Sequence, residues 1–439
     1  MKIKTTIILI SLLFGVFVFA QTDEAESSQI TLAKSFVAKK EATKAKIILK
    51  GITTKDPTNA EAYFVLHEVE LMLGNINEAQ EILKKAIDVD KSNSDYRERY
   101  EKIRELVNLL KDGQREYDVS SFDDAKKIYE QALADFPDVS EINYRLGIIA
   151  LYQDDYKTSA DYFDKATSLA PNVEKYSKAR HNLVGKYYKK GVNALKLGDS
   201  ENASRNFKIC VEIDPKFVYA YLQLGILKVK SGDLDGAIAT LESGVNAAPE
   251  NEAAQYNLGN FYKKAHQYSK AVIHLKKAVE LNSNYDIAYS TLGSTYLALK
   301  KYDQAAKAFN SAIKLNDKSA ASWDGYGALL LQQKKYSEAI DALTKAVEIS
   351  PRNFNAYYRI ASCNNNLGKY NEAIEAAKKS TKYQPRFGAA WYEMGIAYGM
   401  LDQKSNAISS FNRARTDRNW RKVADYQIGL LRDGKSIQP

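Results

Sequence analysis

The sequence predicts an all-α solenoid of about eleven 34-residue helix-turn-helix units, closed by a C-terminal capping helix. Two observations carry this. Apolar and small residues recur at a fixed step of 34, from Tyr221, Leu224 and Gly225 to Leu258 and Gly259, Leu292 and Gly293, and Gly327. Within each step, two runs with helical spacing are separated by a break such as Gly232-Asp233 and ended by a proline such as Pro249. A repeat of this period marks an array in which each unit buries its apolar face on its neighbours.

In chain order, Met1–Ala20 stands outside the array. Lys2 and Lys4 precede an apolar run, and Val18 and Ala20 are small residues before a plausible cleavage at Gln21. This is the pattern of a secretory leader rather than a membrane span. The chain is therefore expected in an envelope space such as the Gram-negative periplasm, or secreted, with no cysteine at the cut for a lipid anchor. Removing the leader takes away two lysines and no acid, which lowers the net charge from +9 to +7.

Counting from Val218, the units are 26–59, 60–93, 106–139, 140–173, 184–217, 218–251, 252–285, 286–319, 320–353, 354–387 and 388–421, and 422–433 begins a twelfth. The eighth position is small where the two helices must approach: Gly147, Gly191, Gly225, Gly259, Gly293, Gly327 and Gly395. Opposite them on the second helix stand Ala125, Ala203, Ala237, Ala271, Ala305, Ala339, Ala373 and Ala407. Tyr129, Phe163, Phe207, Phe309 and Phe411 are read as filling the layers between units. Gly74, Gly198, Gly232 and Gly368 are placed to end first helices in a left-handed cap. Prolines at 57, 137, 171, 215, 249, 351 and 385 fall just past second helices. The first unit is the weakest, and Ala45 and Pro57 keep it in register. His67 and Ala361 stand where glycine is expected.

Residues 94–105 and 174–183 interrupt the frame without a turn signal. Tyr96, Tyr100, Ile103, Val107 and Leu110 form one stripe at helical spacing, as do Tyr176, Ala179, Leu183 and Tyr187, so both inserts are predicted to lengthen a first helix. They divide the chain into a leader (1–20) and three blocks, 26–93, 94–173 and 174–433.

The frame resembles that of the tetratricopeptide repeat family over about nine tenths of the chain. The resemblance implies a right-handed solenoid whose first helices line a concave, partner-binding surface. The fifth and sixth positions are then the candidate contacts. They hold Tyr188, Tyr256, Tyr358 and Tyr392, with Asn257 and Arg359 beside them, and also Asp324 and Glu393. Asn260, Asn365 and Asn366 follow further along the same helices. Rings supply apolar area and amides can pair with an extended peptide backbone. The Lys/Asn/Arg set with which some family members grip a C-terminal carboxylate is not repeated, and Asn257 does not continue into an asparagine ladder.

No nucleophile motif, phosphate loop or metal-ligand spacing is present, so no catalytic residue, metal or cofactor is predicted. Cys210 and Cys363 read as separate buried thiols. Residues 404–435 carry eight basic against three acidic side chains. Arg413, Arg415, Arg418, Arg421 and Lys422 form a candidate anion-binding end for an acidic protein, a glycan or a membrane surface. Nucleic acid is not expected. The expectation is a non-catalytic scaffold of the bacterial cell envelope that binds proteins or extended peptides within an assembly, secretion or transport machine. The alternatives are a chaperone-like holder of unfolded chains and a scaffold for anionic polysaccharide.

Overall fold

The computed structural model describes residues 26–437, and the leader expected at 1–20 lies outside the described residues. Among the described residues all regular structure is helical. Two compact units divide at Asp214/Pro215. The first holds α1 (26–38), α2 (Ala42–Lys55), α3 (Ala60–Met72), α4 (Ile76–Val89), α5 (Ser94–Asp118), α6 (Phe122–Asp135), α7 (Ser140–Tyr152), α8 (Tyr156–Leu169), α9 (Glu174–Lys196) and α10 (Ser200–Ile213). The second holds α11 (Val218–Lys230), α12 (Leu234–Ala247), α13 (Glu252–Lys264), α14 (Tyr268–Leu281), α15 (Asp286–Ala298), α16 (Tyr302–Leu315), α17 (Ala320–Gln332), α18 (Tyr336–Ile349), α19 (Phe354–Asn366), α20 (Tyr370–Tyr383), α21 (Gly388–Met400), α22 (Lys404–Ala414) and α23 (Arg421–Arg432). These are eleven antiparallel pairs followed by a single closing helix, the architecture of an α-solenoid.

Helix ends follow from local chemistry. Side chains of Asn59, Asp155, Asp233, Asn251 and Asn353 accept from the third amide of the helix they open. At the other end of each first helix, the fifteenth residue of the frame turns left-handed and the next amide bonds back to a carbonyl five residues earlier, as Asn75 does to Glu70. Glycine fills that turn at Gly74, Gly198, Gly232 and Gly368. The other seven hairpins force Lys40, Ser120, Asp154, His266, Lys300, Lys334 or Asp402 into positive φ. A side chain there is disfavoured by roughly 1 kcal/mol. Lys334→Gly is therefore expected to raise stability by about that amount, read as a higher denaturant midpoint. An unchanged or lower midpoint would contradict the assignment.

The eighth residue packs against the twenty-fourth of its own hairpin. A Cβ on Gly147 would lie 2.5 Å from the Phe163 ring, and one on Gly293 2.8 Å from Phe309. The rings read as filling layers between units thus first cover a glycine within the unit. Phe309 also reaches Gly325 on the following helix, so it does both. Where the eighth residue is Ala361, the twenty-fourth is Ala377, and Met394 of the next hairpin joins that cluster. The missing glycine is matched by a missing ring.

Both inserts lengthen first helices: α5 has 25 residues and α9 has 23, against 13 in α7 or α11. Tyr96, Ile103 and Leu110 are buried, together with Leu106, while Tyr100 and Val107 pack against the same cluster. Tyr96 stacks on Phe64 at 4.7 Å, and Arg99 lies over Phe136. Cys210 and Cys363 are buried free thiols, which burial pushes up to about 12. Among the described residues, no helix is long and apolar enough to cross a membrane, and no group of three His, Cys, Asp or Glu could hold a metal ion.

Candidate functional site

Within the second unit, successive first helices touch one another (α15 with α17, α17 with α19, α19 with α21), so they form the tighter side of the stack. The fifth-position tyrosines lie on these helices and on α9 of the first unit. Each is half-buried and already in aromatic contact. Tyr188 packs on Phe207 at 5.5 Å, and Tyr256 on Tyr285 at 5.2 Å. Tyr358 meets Phe387 edge-on at 5.4 Å. Tyr392 sits between Phe411 and Trp420, and its hydroxyl accepts from Gln427 Nε2 at 3.2 Å. Burial raises the hydroxyl pKa of Tyr358 and Tyr392 above the usual range. Each ring is thus part-spent on an aromatic residue of its own 34-residue unit.

Polar side chains bridge the same helices. Arg359 Nη1 pairs with Asp324 Oδ1 at 2.5 Å across α17 and α19. Asn365 Nδ2 donates to the Glu393 carbonyl at 2.9 Å and to its Oε2 at 2.7 Å across α19 and α21. Burial holds the Glu393 carboxyl above the ordinary carboxylate range, while hydrogen bonds from Asn365 and Ser362 pull against it. Asn365 Oδ1 is buried with no hydrogen-bond donor. Asn366 is exposed and donates to the Ser362 carbonyl at 2.8 Å. On α13, Asn257 and Asn260 share a helix with Tyr256, and Lys263 reaches Ser294 of α15 at 2.6 Å, with burial lowering its ammonium pKa.

The structure thus gathers Tyr358, Arg359, Asn365 and Tyr392 into one neighbourhood and sets Tyr256, Asn257 and Asn260 on another helix. The acids that complete the neighbourhood, Asp324 and Glu393, stand at the fifth and sixth positions of the frame, among its candidate contacts. A signal for one of them exists: opposite charges 35 residues apart, as Asp324 and Arg359 are, fall on adjacent first helices.

Sequence reasoning missed a second polar centre, in the first unit. Arg145 holds the sixth position of its hairpin, as Arg359 does. Its Nε donates to Glu141 at 3.0 Å, and its Nη1 to Gln114 at 2.7 Å and to the Tyr129 hydroxyl at 3.0 Å. Lys175 at 2.5 Å and the Tyr176 hydroxyl at 3.1 Å complete the shell around Glu141. A cavity of about 510 Å³ opens beside this centre, lined by Val107, Leu110, Lys111, Arg115, Glu141 and Arg145.

The basic end is partly spent on internal contacts. Arg413 lies over the Trp391 ring at 4.6 Å. Arg415 pairs with Asp425 at 3.1 Å, and Arg421 donates to the Arg415 carbonyl at 3.3 Å. Arg418 and Lys422 are exposed, the first between α22 and α23 and the second on α23.

Three family models described as tetratricopeptide repeat match the chain, at residues 110–174 and 290–354, at 250–318, and at 36–102 and 194–260. A model of the fifth armadillo-repeat domain of TT21 matches 327–430. Among curated proteins none matches the chain. Similar solved structures include a tetratricopeptide repeat protein from Parabacteroides merdae, at 19% identity, covering 56% of this chain and 98% of that one with a TM-score of 0.46. YrrB, described as having an unusual peptide-binding site, matches at 21% identity over 42% of this chain and 96% of its own, with a TM-score of 0.36. The Cut9–Hcn1 heterotetramer of the APC/C matches at 16% identity over 92% and 90%, with a TM-score of 0.46.

Proposed function

We propose that this chain, whose hairpins are tetratricopeptide repeats, is a non-catalytic scaffold that holds partner proteins or extended peptides along its first-helix face. The observation that carries this reading is the pair of half-buried tyrosine rings, Tyr358 and Tyr392, on the consecutive first helices α19 and α21, with Arg359, Asn365 and Glu393 beside them. Flat rings give apolar contact at low entropic cost, and fixed polar groups set the register of a bound chain. The leader-like Met1–Ala20 supports export to the bacterial cell envelope, where such a scaffold would serve an assembly, secretion or transport machine. A mature N-terminus at Gln21 tests the export; an intact Met1 on protein recovered from the envelope would refute it. Exposed Arg418 and Lys422 favour a second reading, in which the C-terminal end meets an anionic glycan or membrane surface.

Affinity purification from membranes with mass spectrometry identifies the partner, and Tyr358→Ala then tests the face. Affinity should fall by about 1–2 kcal/mol, the scale of an interface anchor. Stability should drop by only about 1 kcal/mol, because the ring is half-buried and meets Phe387 edge-on. A loss of about 3 kcal/mol in stability with affinity intact in the folded protein would make the ring a packing residue and move the interface elsewhere.

A further inference from the structure

We propose that the cavity bounded by α5, α7 and the turn between α3 and α4 is a second peptide site, which takes an acidic side chain within an extended segment of a partner protein. This rests on the scaffold reading, but not on the tyrosines of α19 and α21. The cavity, of about 510 Å³, has the size of an ordinary ligand pocket. Its polar groups are largely spent on one another, and the charged ones left over are donors. Glu141 takes Arg145 Nε at 3.0 Å on one oxygen, and Lys175 at 2.5 Å and the Tyr176 hydroxyl at 3.1 Å on the other. Gln114 accepts from Arg145 Nη1 and donates to Asp118 at 2.7 Å. Arg115 is met on its own helix by Asp112 at 3.3 Å and Glu116 at 3.7 Å. Two cationic donors remain. Arg145 Nη2 has no protein acceptor among the described residues, and 26% of that side chain is exposed. Lys111, on the cavity wall, is exposed and has no carboxylate partner among the described residues.

Both free cations hold the sixth position of the frame, Lys111 on α5 and Arg145 on α7, so they stand on successive first helices. The lining carries three cations, Lys111, Arg115 and Arg145, against two acids, Asp118 and Glu141. A carboxylate brought to the two open donors gains charge-assisted hydrogen bonds, which a neutral amide makes only weakly. Apolar residues flank this centre on both sides along α5: Val107 and Leu110 before Gln114, together with Ile76 of α4, and Val119 after it. A bound chain therefore runs on past its acidic residue in both directions, and the acid is internal to the segment. From Val107 to the C-cap Val119 the helix spans about 18 Å, the reach of about five extended residues. Apolar neighbours of the acid have the valines and the leucine to bury on.

The test uses the full chain and two acetylated, amidated heptapeptides of Ala and Leu around a central residue, glutamate in one and glutamine in the other. Glutamine keeps the shape and loses the charge, and amidation removes the terminal carboxylate. Binding is followed by the amide signals of Lys111, Gln114 and Arg145 in ¹⁵N-labelled protein. The glutamate peptide should shift these signals and bind at least tenfold more tightly than the glutamine peptide. In Lys111→Glu the preference should fall to threefold or less while the melting temperature is held, since Lys111 is exposed and makes no ion pair within the described fold. Equal binding of the two peptides, no binding of either, shifts confined to other helices, or a preference that survives Lys111→Glu overturns the acidic-peptide site. None of these results touches the tyrosine face, which is judged separately by Tyr358→Ala against the captured partner. A glutamate preference unchanged in Tyr358→Ala supports the cavity as a site of its own, and one lost in that variant overturns it.

Discussion

Between pH 7 and pH 4 the hairpin containing His67 should lose about 3 kcal/mol of stability, and in His67→Met most of that loss should disappear. His67 occupies an eighth position, where the frame asks for glycine, and it is fully buried. Its ring lies 4.8 Å from Phe64, and neither ring nitrogen makes a hydrogen bond of regular geometry. Burial first, and the Arg99 charge second, lower its pKa from 6.5 to about 3, with the Phe64 backbone opposing. In the unfolded chain the imidazole takes up a proton as pH falls through 6.5; in the folded chain it stays neutral until about 3. The unfolded state therefore binds more protons over that window, and stability declines by about 1.4 kcal/mol per pH unit once well below 6.5. Glu68, whose pKa burial raises, works the other way, but it is common to both proteins and cancels in the comparison. At neutral pH the methionine should add roughly 1–2 kcal/mol, because two buried nitrogens without good partners are replaced by an apolar chain of similar size. Hydrogen exchange across α3 to α5 at both pH values is the measurement. Parallel pH profiles for the two proteins would show that the imidazole is protonated or solvated in the fold.

Phe309→Ala should cost about 3–5 kcal/mol, the scale of a buried aromatic removed to leave a cavity. The ring is fully buried, covers Gly293 of its own hairpin and reaches Gly325 of the next. Neither glycine beneath the ring has a side chain with which to fill the space. Because repeats couple chiefly to their neighbours, protection should fall in α15, α16 and α17 and be retained in the hairpins of the first unit. A uniform loss of protection along the whole chain would contradict the nearest-neighbour picture.

The array was legible because its determinants are local and repeated. Glycine at the eighth position, alanine at the twentieth and a large residue at the twenty-fourth state the hairpin contact directly, and the two stripes of α5 and α9 announced the longer helices. The turn was half legible: four glycines marked it, while seven hairpins adopt the same left-handed residue with a side chain that carries no such mark. The frame placed Tyr358 and Tyr392 on first helices, but sequence spacing could not show how much of each ring is spent on Phe387 or Trp420. The bonds between helices were hidden for a related reason. Asn365 to Glu393 and Arg145 to Gln114 join residues 28 and 31 apart, and such offsets become neighbours only once the stacking of successive hairpins is known.

The size matching between the eighth and twenty-fourth residues bears on how such a chain can be rearranged. A single helix transplanted between hairpins would set glycine against Ala377 and leave a hole, or set Ala361 against a phenylalanine and collide with it. A hairpin transplanted whole carries its own complement. Duplication, loss and shuffling of this gene are thereby channelled through the helix pair as the quantum of change, and two halves of one pair are constrained to mutate together even when their neighbours do not.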